Sequence, residues 1–306
     1  MDTSFLFRRR KKKAGSTAIP FMITVLISLV LFGGVAMYFY QLMTAKAREL
    51  KPMPGAIANI SEADINSILF VLEPNDPMRE TAVMVLHFDP VRKKEFCMGI
   101  PLDLIVEYEG RAMTVSACLV NQGPNALKAA LSATLDQDIA RYVKMDHNSF
   151  QTLIGMIGNV SLVIPIRDTG LRPTETSTEI DVTQLEILLT STRYADPLER
   201  YTEIGLAIAQ LLNQCDGERI GSNLDMYFRD VIGSFDTDIT SMDFANHKHA
   251  ISYVFKYAHK DSAPARGIIL DTVKTEDGLY TVRDGFLDDL KITFYQKVGA
   301  SDNSGS

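Results

Sequence analysis

The stretch that decides the fold is SILFVLEPNDPMRETAVMVLHFDPVRKKEFCMGIPLD, residues 67–103. It contains three short runs of apolar and β-branched residues, Ser67–Leu72, Ala82–Phe88 and Glu95–Ile100, each bounded by turn-forming residues. Runs of this length and composition predict buried or half-buried strands. Asp89-Pro90 and the charged residues after it predict the tip of a hairpin between the second and third runs.

After this stretch, segments with strand patterns alternate with segments in which apolar residues recur at helical spacing. The further predicted strands are Leu104–Tyr108, Ser161–Ile166, Gly267–Leu270 and Leu279–Val282; the predicted helices are Pro124–Leu135, Asn148–Ile157, Val182–Leu189 and Asp196–Cys215. This interleaving predicts an α/β or α+β domain, in which helices flank one central mixed sheet.

An apolar segment, Ala18–Tyr40, precedes this domain, and residues 14–45 carry no charged side chain. At about 1.5 Å per residue, the segment is long enough to cross the ~30 Å hydrocarbon core of a bilayer. Six basic residues, Arg8 to Lys13, stand before it, so the N-terminus is expected in the cytoplasm and the rest of the chain outside. The length of the segment and its aromatic end favour an uncleaved anchor over a signal peptide cleaved near Ala45-Lys46-Ala47.

The predicted organisation follows from this segment. It comprises a basic cytoplasmic segment (1–17), a transmembrane helix (18–40), a stalk (41–60), one extracytoplasmic domain (61–299) and a disordered tail (300–306). Beyond residue 13 the chain has 25 Lys and Arg against 37 Asp and Glu. This acidic balance argues against a nucleic-acid-binding protein, because neutralising phosphates takes a basic face.

The cysteines and the motifs that the sequence lacks limit the classes of function that are compatible with it. Cys97 and Cys118 lie in apolar contexts, where they are expected as buried thiols or, alternatively, as one disulfide; Cys215 is the third cysteine. The sequence lacks GxxxxGK[ST], GxGxxG, HExxH, GxSxG and paired CxxC motifs. Nucleotide-binding, zincin, α/β-hydrolase and zinc-ribbon functions therefore lose their main support.

Arginines and acidic residues stand at the predicted strand ends and at the start of one helix. They are Arg79 and Glu80 before the second strand, Asp103 after the third, and Arg193, Asp196 and Arg200 at the start of the long helix. Arginine forks and helix N-termini suit pyrophosphate, and carboxylates can hold Mg²⁺ or accept a proton from an attacking hydroxyl. On spacing alone, such residues are more typical of solvated surface charge.

The order of these segments behind a basic-flanked anchor resembles the LytR-CpsA-Psr family, membrane-anchored bacterial proteins that transfer lipid-linked glycopolymers onto the cell wall. The resemblance runs from about Ser67 to Phe294. Besides residues 67–103, it rests on VNQGPNALKAALSATLDQDIARYVKMDHNSFQTLIGMIGNVSLVIP (120–165), RYADPLERYTEIGLAIAQLL (193–212) and SFDTDITSMDF (234–244).

The resemblance implies roles for individual residues. In the family, arginines neutralise the pyrophosphate of a polyprenyl donor, an acidic pair holds Mg²⁺, and an aspartate assists attack by a sugar hydroxyl. Carried over, these roles fall on Arg79, Arg193 and Arg200 for pyrophosphate, on Glu73 and Asp196 for the metal, and on Asp103 for catalysis.

Four positions depart from the family pattern. Thr81 takes the place of the second acidic residue, and Leu102, Ser191 and Glu203 stand where arginines are usual. Removing one hydrogen-bond donor that stabilises charge in the transition state often lowers the reaction rate by ~10² to 10³. The resemblance therefore implies a cell-envelope protein that binds polyprenyl-phosphate lipid in an apolar cleft, with weakened or lost phosphotransferase activity.

Two alternatives stay open at this point. One is an active, Mg²⁺-dependent transferase that moves glycopolymer from a polyprenyl-pyrophosphate carrier to peptidoglycan, with Arg111, Arg141 or Arg167 replacing the missing arginines. The other is an exported scaffold or binding module without catalysis. Both lipid-binding hypotheses predict that Arg79, Asp103, Arg193 and Arg200 meet at the mouth of an apolar cleft.

Overall fold

The computed structural model describes residues 60–158, 160–162, 178–194, 196–259 and 263–295. The predicted cytoplasmic segment, transmembrane helix and tail, and all but the last residue of the predicted stalk, lie outside these ranges. Within them, no helix combines the length and the hydropathy that crossing a bilayer requires.

The described residues form twelve strands and nine α-helices. The strands are β1 (Asn66–Leu72), β2 (Ala82–Asp89), β3 (Lys94–Gly99), β4 (Ile105–Tyr108), β5 (Arg111–Thr114), β6 (Ile139–Met145), β7 (Val160–Leu162), β8 (Thr178–Ile180), β9 (Asp236–Thr237), β10 (Ala265–Ile268), β11 (Thr272–Lys274) and β12 (Tyr280–Val282). The helices are α1 (Val115–Gln122), α2 (Pro124–Leu135), α3 (His147–Ile157), α4 (Val182–Thr190), α5 (Pro197–Gln214), α6 (Gly217–Ser222), α7 (Leu224–Val231), α8 (Ser241–Tyr253) and α9 (Phe286–Tyr295).

A six-stranded mixed sheet in the order β10-β3-β2-β1-β6-β9 is the centre of the domain. β2 is antiparallel to both β1 and β3, whereas β6 is parallel to β1 and β10 is parallel to β3. The predicted mixed sheet flanked by helices is thus confirmed. The hairpin turn predicted at Asp89-Pro90 is confirmed too, since it joins β2 to β3.

Side-chain alternation along the central strands produces two buried faces. Leu69 and Val83 belong to one core cluster, which helices α1, α2 and α9 cover. Leu72 and Met84 belong to the other, which helices α3, α4 and α5 cover. The domain is therefore a three-layer arrangement with the sheet in the middle.

Glycines let helix α5 approach the sheet closely. A Cβ atom at Gly99 would lie 2.1 Å from the carbonyl oxygen of Tyr201, and one at Gly205 would lie 2.6 Å from the carbonyl oxygen of Cys97. Only glycine leaves room for backbone-to-backbone contact of this kind. The contact fixes the first turns of α5 over the carboxyl end of β3.

The three cysteines are free and buried. Cys97 lies in the core under α3, α4 and α5, whereas Cys118 lies in the core on the opposite face of the sheet. The expectation of buried thiols is confirmed, and the alternative disulfide between Cys97 and Cys118 is wrong. Burial raises the pKa of both thiols.

His87 of β2 gives the domain a predictable pH dependence. Its side chain is buried, its Nδ1 lies 2.9 Å from the Ser67 hydroxyl, and its ring stacks on Phe294 at 4.0 Å. Burial lowers the pKa of His87 to about 4; nearby Asp89 opposes the shift and Arg92 adds to it.

The unfolded imidazole titrates near pH 6.5, so between pH 6.5 and 4 the unfolded chain binds more protons than the folded one. The free energy of unfolding therefore decreases as the pH is lowered through this range. From this shift we expect the free energy of unfolding to drop by about 3 kcal/mol between pH 7 and pH 4. Urea unfolding at several pH values measures the slope. His87→Gln should flatten it, and an unchanged slope in this variant would assign the pH dependence to other groups.

Candidate functional site

Polar residues gather at one edge of the central sheet. The carboxyl ends of β1, β3 and β6 meet there with the amino end of β2, because β2 runs antiparallel to β1. We call this edge, with the residues that follow or precede these strands, the polar edge. It carries Glu73, Glu80-Thr81, Leu102-Asp103 and Lys144.

Arg200 is buried beside the polar edge and is fully engaged with it. Its Nη1 donates to Glu80 Oε2 at 2.7 Å, and its Nη2 donates to the carbonyl oxygens of Glu80 at 3.0 Å and Thr81 at 2.8 Å. Its Nε donates to the carbonyl oxygen of Leu189 at 3.2 Å. The guanidinium therefore joins the segment before β2 to the end of α4 and the start of α5.

Tyr201 links the segment that contains Asp103 to the helix turn that contains Arg200. The Tyr201 hydroxyl accepts a hydrogen bond from the Leu102 amide at 3.1 Å. The pKa of Tyr201 is raised overall, mainly because the side chain is buried. The Glu80 and Asp103 carboxylates also raise this pKa, whereas the Leu102 hydrogen bond and the Arg200 charge lower it. Glu80, Arg200, Tyr201 and Asp103 thus form one electrostatic group.

Tyr280 lies within the electrostatic influence of both Asp196 and Asp103. Burial raises the pKa of Tyr280, and the carboxylates of Asp196 and Asp103 both add to this effect. The backbone amide of Tyr280 also donates to the Asp103 carbonyl oxygen at 3.1 Å. Asp196 itself caps α5, since its Oδ1 accepts the Leu198 amide at 2.9 Å.

An apolar cavity of about 270 Å³ lies between the sheet and helices α3, α4 and α5. Ala82, Met84 and Leu86 line it along β2, so it extends for about 13 Å along that strand at ~3.3 Å per residue. Ala82 and Leu189 stand at one end of it. Because Ala82 follows Thr81, and because Leu189 contacts Arg200, this end adjoins the polar edge.

Comparison with known protein families gives a match over part of the domain. Residues 72–185 match the LytR_cpsA_psr family. The resemblance to the LytR-CpsA-Psr family that the sequence predicts is confirmed over these residues. Among curated proteins no sequence matches.

Three solved structures show the same fold as this chain. A protein described as a transcription regulator from Eubacterium siraeum is 17% identical, with a TM-score of 0.64 over 78% of this chain and 94% of its own. TagV of Bacillus subtilis is 15% identical, with a TM-score of 0.56 over 76% of this chain and 96% of its own. TagT bound to LI-WTA is 14% identical, with a TM-score of 0.56 over 78% and 93%.

The site residues that the sequence predicts fall into two groups. The first group is Asp103, Asp196 and Arg200: the charges of Asp103 and Arg200 act on Tyr201, and those of Asp103 and Asp196 act on Tyr280. Arg79 lies in the β1–β2 connection, where its Nε is 3.3 Å from Asp76, and Arg193 is exposed in the connection between α4 and α5. Within the described residues, no hydrogen bond or ion pair joins the side chain of Arg79 or Arg193 to the first group.

The residues predicted to hold Mg²⁺ are engaged elsewhere. Glu73 lies 2.9 Å from the Lys144 ammonium group, and Asp196 caps α5. The described part of the chain contains no group of three His, Cys, Asp or Glu side chains that could hold a metal ion. These contacts do not fit a magnesium site built from Glu73 and Asp196, and the need for Mg²⁺ stays a prediction.

Of the arginines considered as replacements, the two within the described residues, Arg111 and Arg141, do not lie at the polar edge. Arg111 is exposed on β5. Arg141 binds Asp243 through two nitrogens, at 3.0 and 2.6 Å. Arg167 lies outside the described residues.

One polar pair near the cavity has no counterpart among the sequence-predicted residues. His147, at the start of α3, and Glu186, on α4, lie 2.7 Å apart. The two residues are far apart in sequence and match no short motif, so nothing in the sequence links them. The position of His147 directly after the β6 strand end is the signal that could have drawn attention to it.

Proposed function

We propose that this LytR-CpsA-Psr domain binds a polyprenyl-phosphate lipid at the cell envelope, within the attachment of glycopolymers to the cell wall. The apolar cavity carries this proposal. Its lining is apolar over its whole length, as an isoprenoid chain requires, and one end adjoins the polar edge where a phosphate would lie. A protein of the same fold, TagT, has been solved bound to LI-WTA.

The location belongs to the proposal as well. A single transmembrane helix at 18–40 would hold the domain outside the cell, beside the membrane that contains the lipid. Its partners would then be the polyprenyl-linked glycopolymer and peptidoglycan.

The contacts of Arg200 favour a domain whose transferase activity is weakened or lost. Family arginines neutralise pyrophosphate, but here Glu80 and three carbonyl oxygens already bind the guanidinium. The Glu80 carboxylate also offsets its charge where a phosphate would approach. Arg79 and Arg193 are then the remaining arginines for pyrophosphate.

The departures at Leu102 and Glu203 point in the same direction. Leu102 offers its amide to Tyr201 and has no charged group to offer a phosphate. Glu203 is half-buried on α5, where burial and the neighbouring Glu199 raise its pKa. Neither residue supplies the positive charge that the family places at these positions.

The test uses the full-length protein in nanodiscs and a short-chain polyprenyl pyrophosphate linked to a sugar. We expect the donor to bind with or without Mg²⁺, and the release of polyprenyl phosphate to be slow. Fast Mg²⁺-dependent release that Asp103→Ala and Arg79→Ala abolish would instead show the active transferase. If the donor and polyprenyl monophosphate both fail to bind, the domain is an exported scaffold.

A further inference from the structure

His147 and Glu186 form a polar pair in which the histidine is partly exposed and the glutamate is buried. His147 is the first residue of α3, after the N-cap Asp146. Its Nδ1 lies 2.7 Å from Glu186 Oε2, and the same oxygen accepts a hydrogen bond from Gln151 Nε2 at 2.8 Å. The Glu186 side chain is 3% exposed, whereas that of His147 is 34% exposed.

This geometry fixes the tautomer of the neutral imidazole. An ionised carboxylate only accepts hydrogen bonds, so the ring proton lies on Nδ1 and the lone pair on Nε2. A buried carboxylate that holds a histidine in this way also stabilises the imidazolium that forms when Nε2 takes up a proton. The pair has the arrangement of a general base with an orienting group.

The pair lies beside the cleft. Met145, two residues before His147, lines the apolar cavity, and its carbonyl oxygen accepts the Glu73 amide at 2.9 Å on the polar edge. Phe150 and Ile154, one and two helical turns after His147, line the same cavity. His147 therefore stands at the point where α3 joins the polar edge.

Asp103 and His147 occupy opposite flanks of this edge. Asp103 follows β3 and His147 follows β6, and β2 and β1 lie between these two strands. At ~4.8 Å per strand, the two positions are about 14 Å apart. A phosphate at the amino end of β2 would lie between them, so an acceptor hydroxyl could approach from either flank.

We propose that His147 is the general base for the transfer of a glycosyl phosphate from the bound lipid, and that Glu186 positions it. The proposal rests on the proposed lipid-binding function. The acceptor hydroxyl oxygen forms a bond to the phosphorus of the glycosyl phosphate, and its proton passes to His147 Nε2. The bond from this phosphorus to the bridging oxygen breaks, polyprenyl phosphate leaves with the electron pair, and the imidazolium returns its proton to water.

This assignment is consistent with weak activity. A positioned base contributes ~10² to 10⁴ in rate by removing the proton, but it does not replace the charge stabilisation that missing arginines would supply. The domain would then turn over slowly, with the acceptor on the β6 flank.

Three variants of the full-length protein test the assignment. His147→Asn keeps a donor toward Glu186 but has no base, Glu186→Gln removes the orienting charge, and His249→Asn removes an imidazole from α8 as a matched control. The donor is a short-chain polyprenyl pyrophosphate linked to a sugar, and the acceptor is a soluble peptidoglycan fragment. We expect kcat to fall about 100-fold or more in His147→Asn and about tenfold in Glu186→Gln, with unchanged donor affinity and thermal midpoint.

A rescue experiment separates chemistry from support of the fold. His147→Ala should regain transfer when substituted imidazoles are added, and the rescued rate should rise with the basicity of the imidazole. A residue that only ties α3 to α4 would not produce this dependence.

Other outcomes overturn the assignment. If His147→Asn retains wild-type kcat while Asp103→Asn loses it, the base is Asp103 on the opposite flank. If the wild-type protein binds the donor but shows no transfer, the base assignment fails and lipid binding stands. If no donor binds, both proposals fail.

Discussion

Replacing Arg200 with methionine is expected to lower the free energy of unfolding by about 3 to 5 kcal/mol. The guanidinium is 2% exposed and donates to the carbonyl oxygens of Glu80, Thr81 and Leu189. Methionine fills a similar volume but leaves these acceptors without a donor in a site closed to water. The Glu80 carboxylate adds little to the loss, because it is half exposed and water can solvate it.

A matched control exists near the start of the same helix. Arg193→Met makes the same chemical change at an exposed position, and its effect should stay within about 0.5 kcal/mol. Arg200→Lys should fall between the two, because lysine keeps the charge but lacks the planar fork. Urea unfolding of the three variants measures the difference. Equal stability of Arg200→Met and Arg193→Met would show that Arg200 is free to serve a ligand instead of the fold.

The central strands were predictable because their signal is local. Alternation and turn residues in 67–103 indicate three strands and a hairpin, and β1, β2 and β3 lie there within a residue or two of the predicted bounds. Helix α1 was not predicted. Its sequence, VSACLVNQ, mixes β-branched and apolar residues over only two turns. Neither the helical nor the strand periodicity of apolar residues is therefore clear. Its Thr114 cap and Gly123 terminus are the signals that were available.

The candidate site was predictable only in part, because its contacts join distant segments. The resemblance to the family predicts Asp103 and Arg200 at one site, and in the structure the charges of both residues act on Tyr201. The sequence shows that Glu80 is adjacent to the position of the lost metal acid, but not that it binds Arg200. The partner of His147 likewise depends on how α3 packs against α4, which no local pattern encodes.

Asp236-Thr237-Asp238 illustrates how tertiary contacts override a local pattern. The sequence is compatible with a helix cap, but Asp236–Thr237 forms the edge strand β9. The Asp238 carboxylate then accepts the Tyr142 amide at 2.7 Å and binds Lys128 of α2. The helix that follows is capped instead by Thr240, whose hydroxyl accepts the Asp243 amide at 3.1 Å.

Filling the mouth of the apolar cavity should abolish lipid binding without unfolding the domain. Ala82→Phe places a benzyl group next to Thr81 and Arg200, in a cavity of about 270 Å³ that has room for it. We expect polyprenyl phosphate to bind about 100-fold more weakly, roughly 2.7 kcal/mol, which is the cost of leaving three or four CH₂ groups in water. The thermal midpoint should stay the same or rise.

The control makes the same substitution outside the cavity. Ala129→Phe lies on the exposed side of α2, on the other face of the sheet, and should bind lipid like the wild type. Fluorescence titration with polyprenyl phosphates of different length in the full-length protein measures both. Equal affinity of Ala82→Phe and Ala129→Phe for every lipid would show that the chain does not enter between the sheet and α3, α4 and α5.

A third substitution gives the direction of the bound chain. Leu86 lines the cavity four residues after Ala82, about 13 Å further along β2. If the phosphate lies at the polar edge, Leu86→Trp should weaken the binding of long polyprenyl chains and spare short ones, whereas Ala82→Phe should weaken both. The reverse pattern would place the phosphate at the opposite end of the cavity. It would also remove the reason for treating Asp103, Arg200 and His147 as parts of one site.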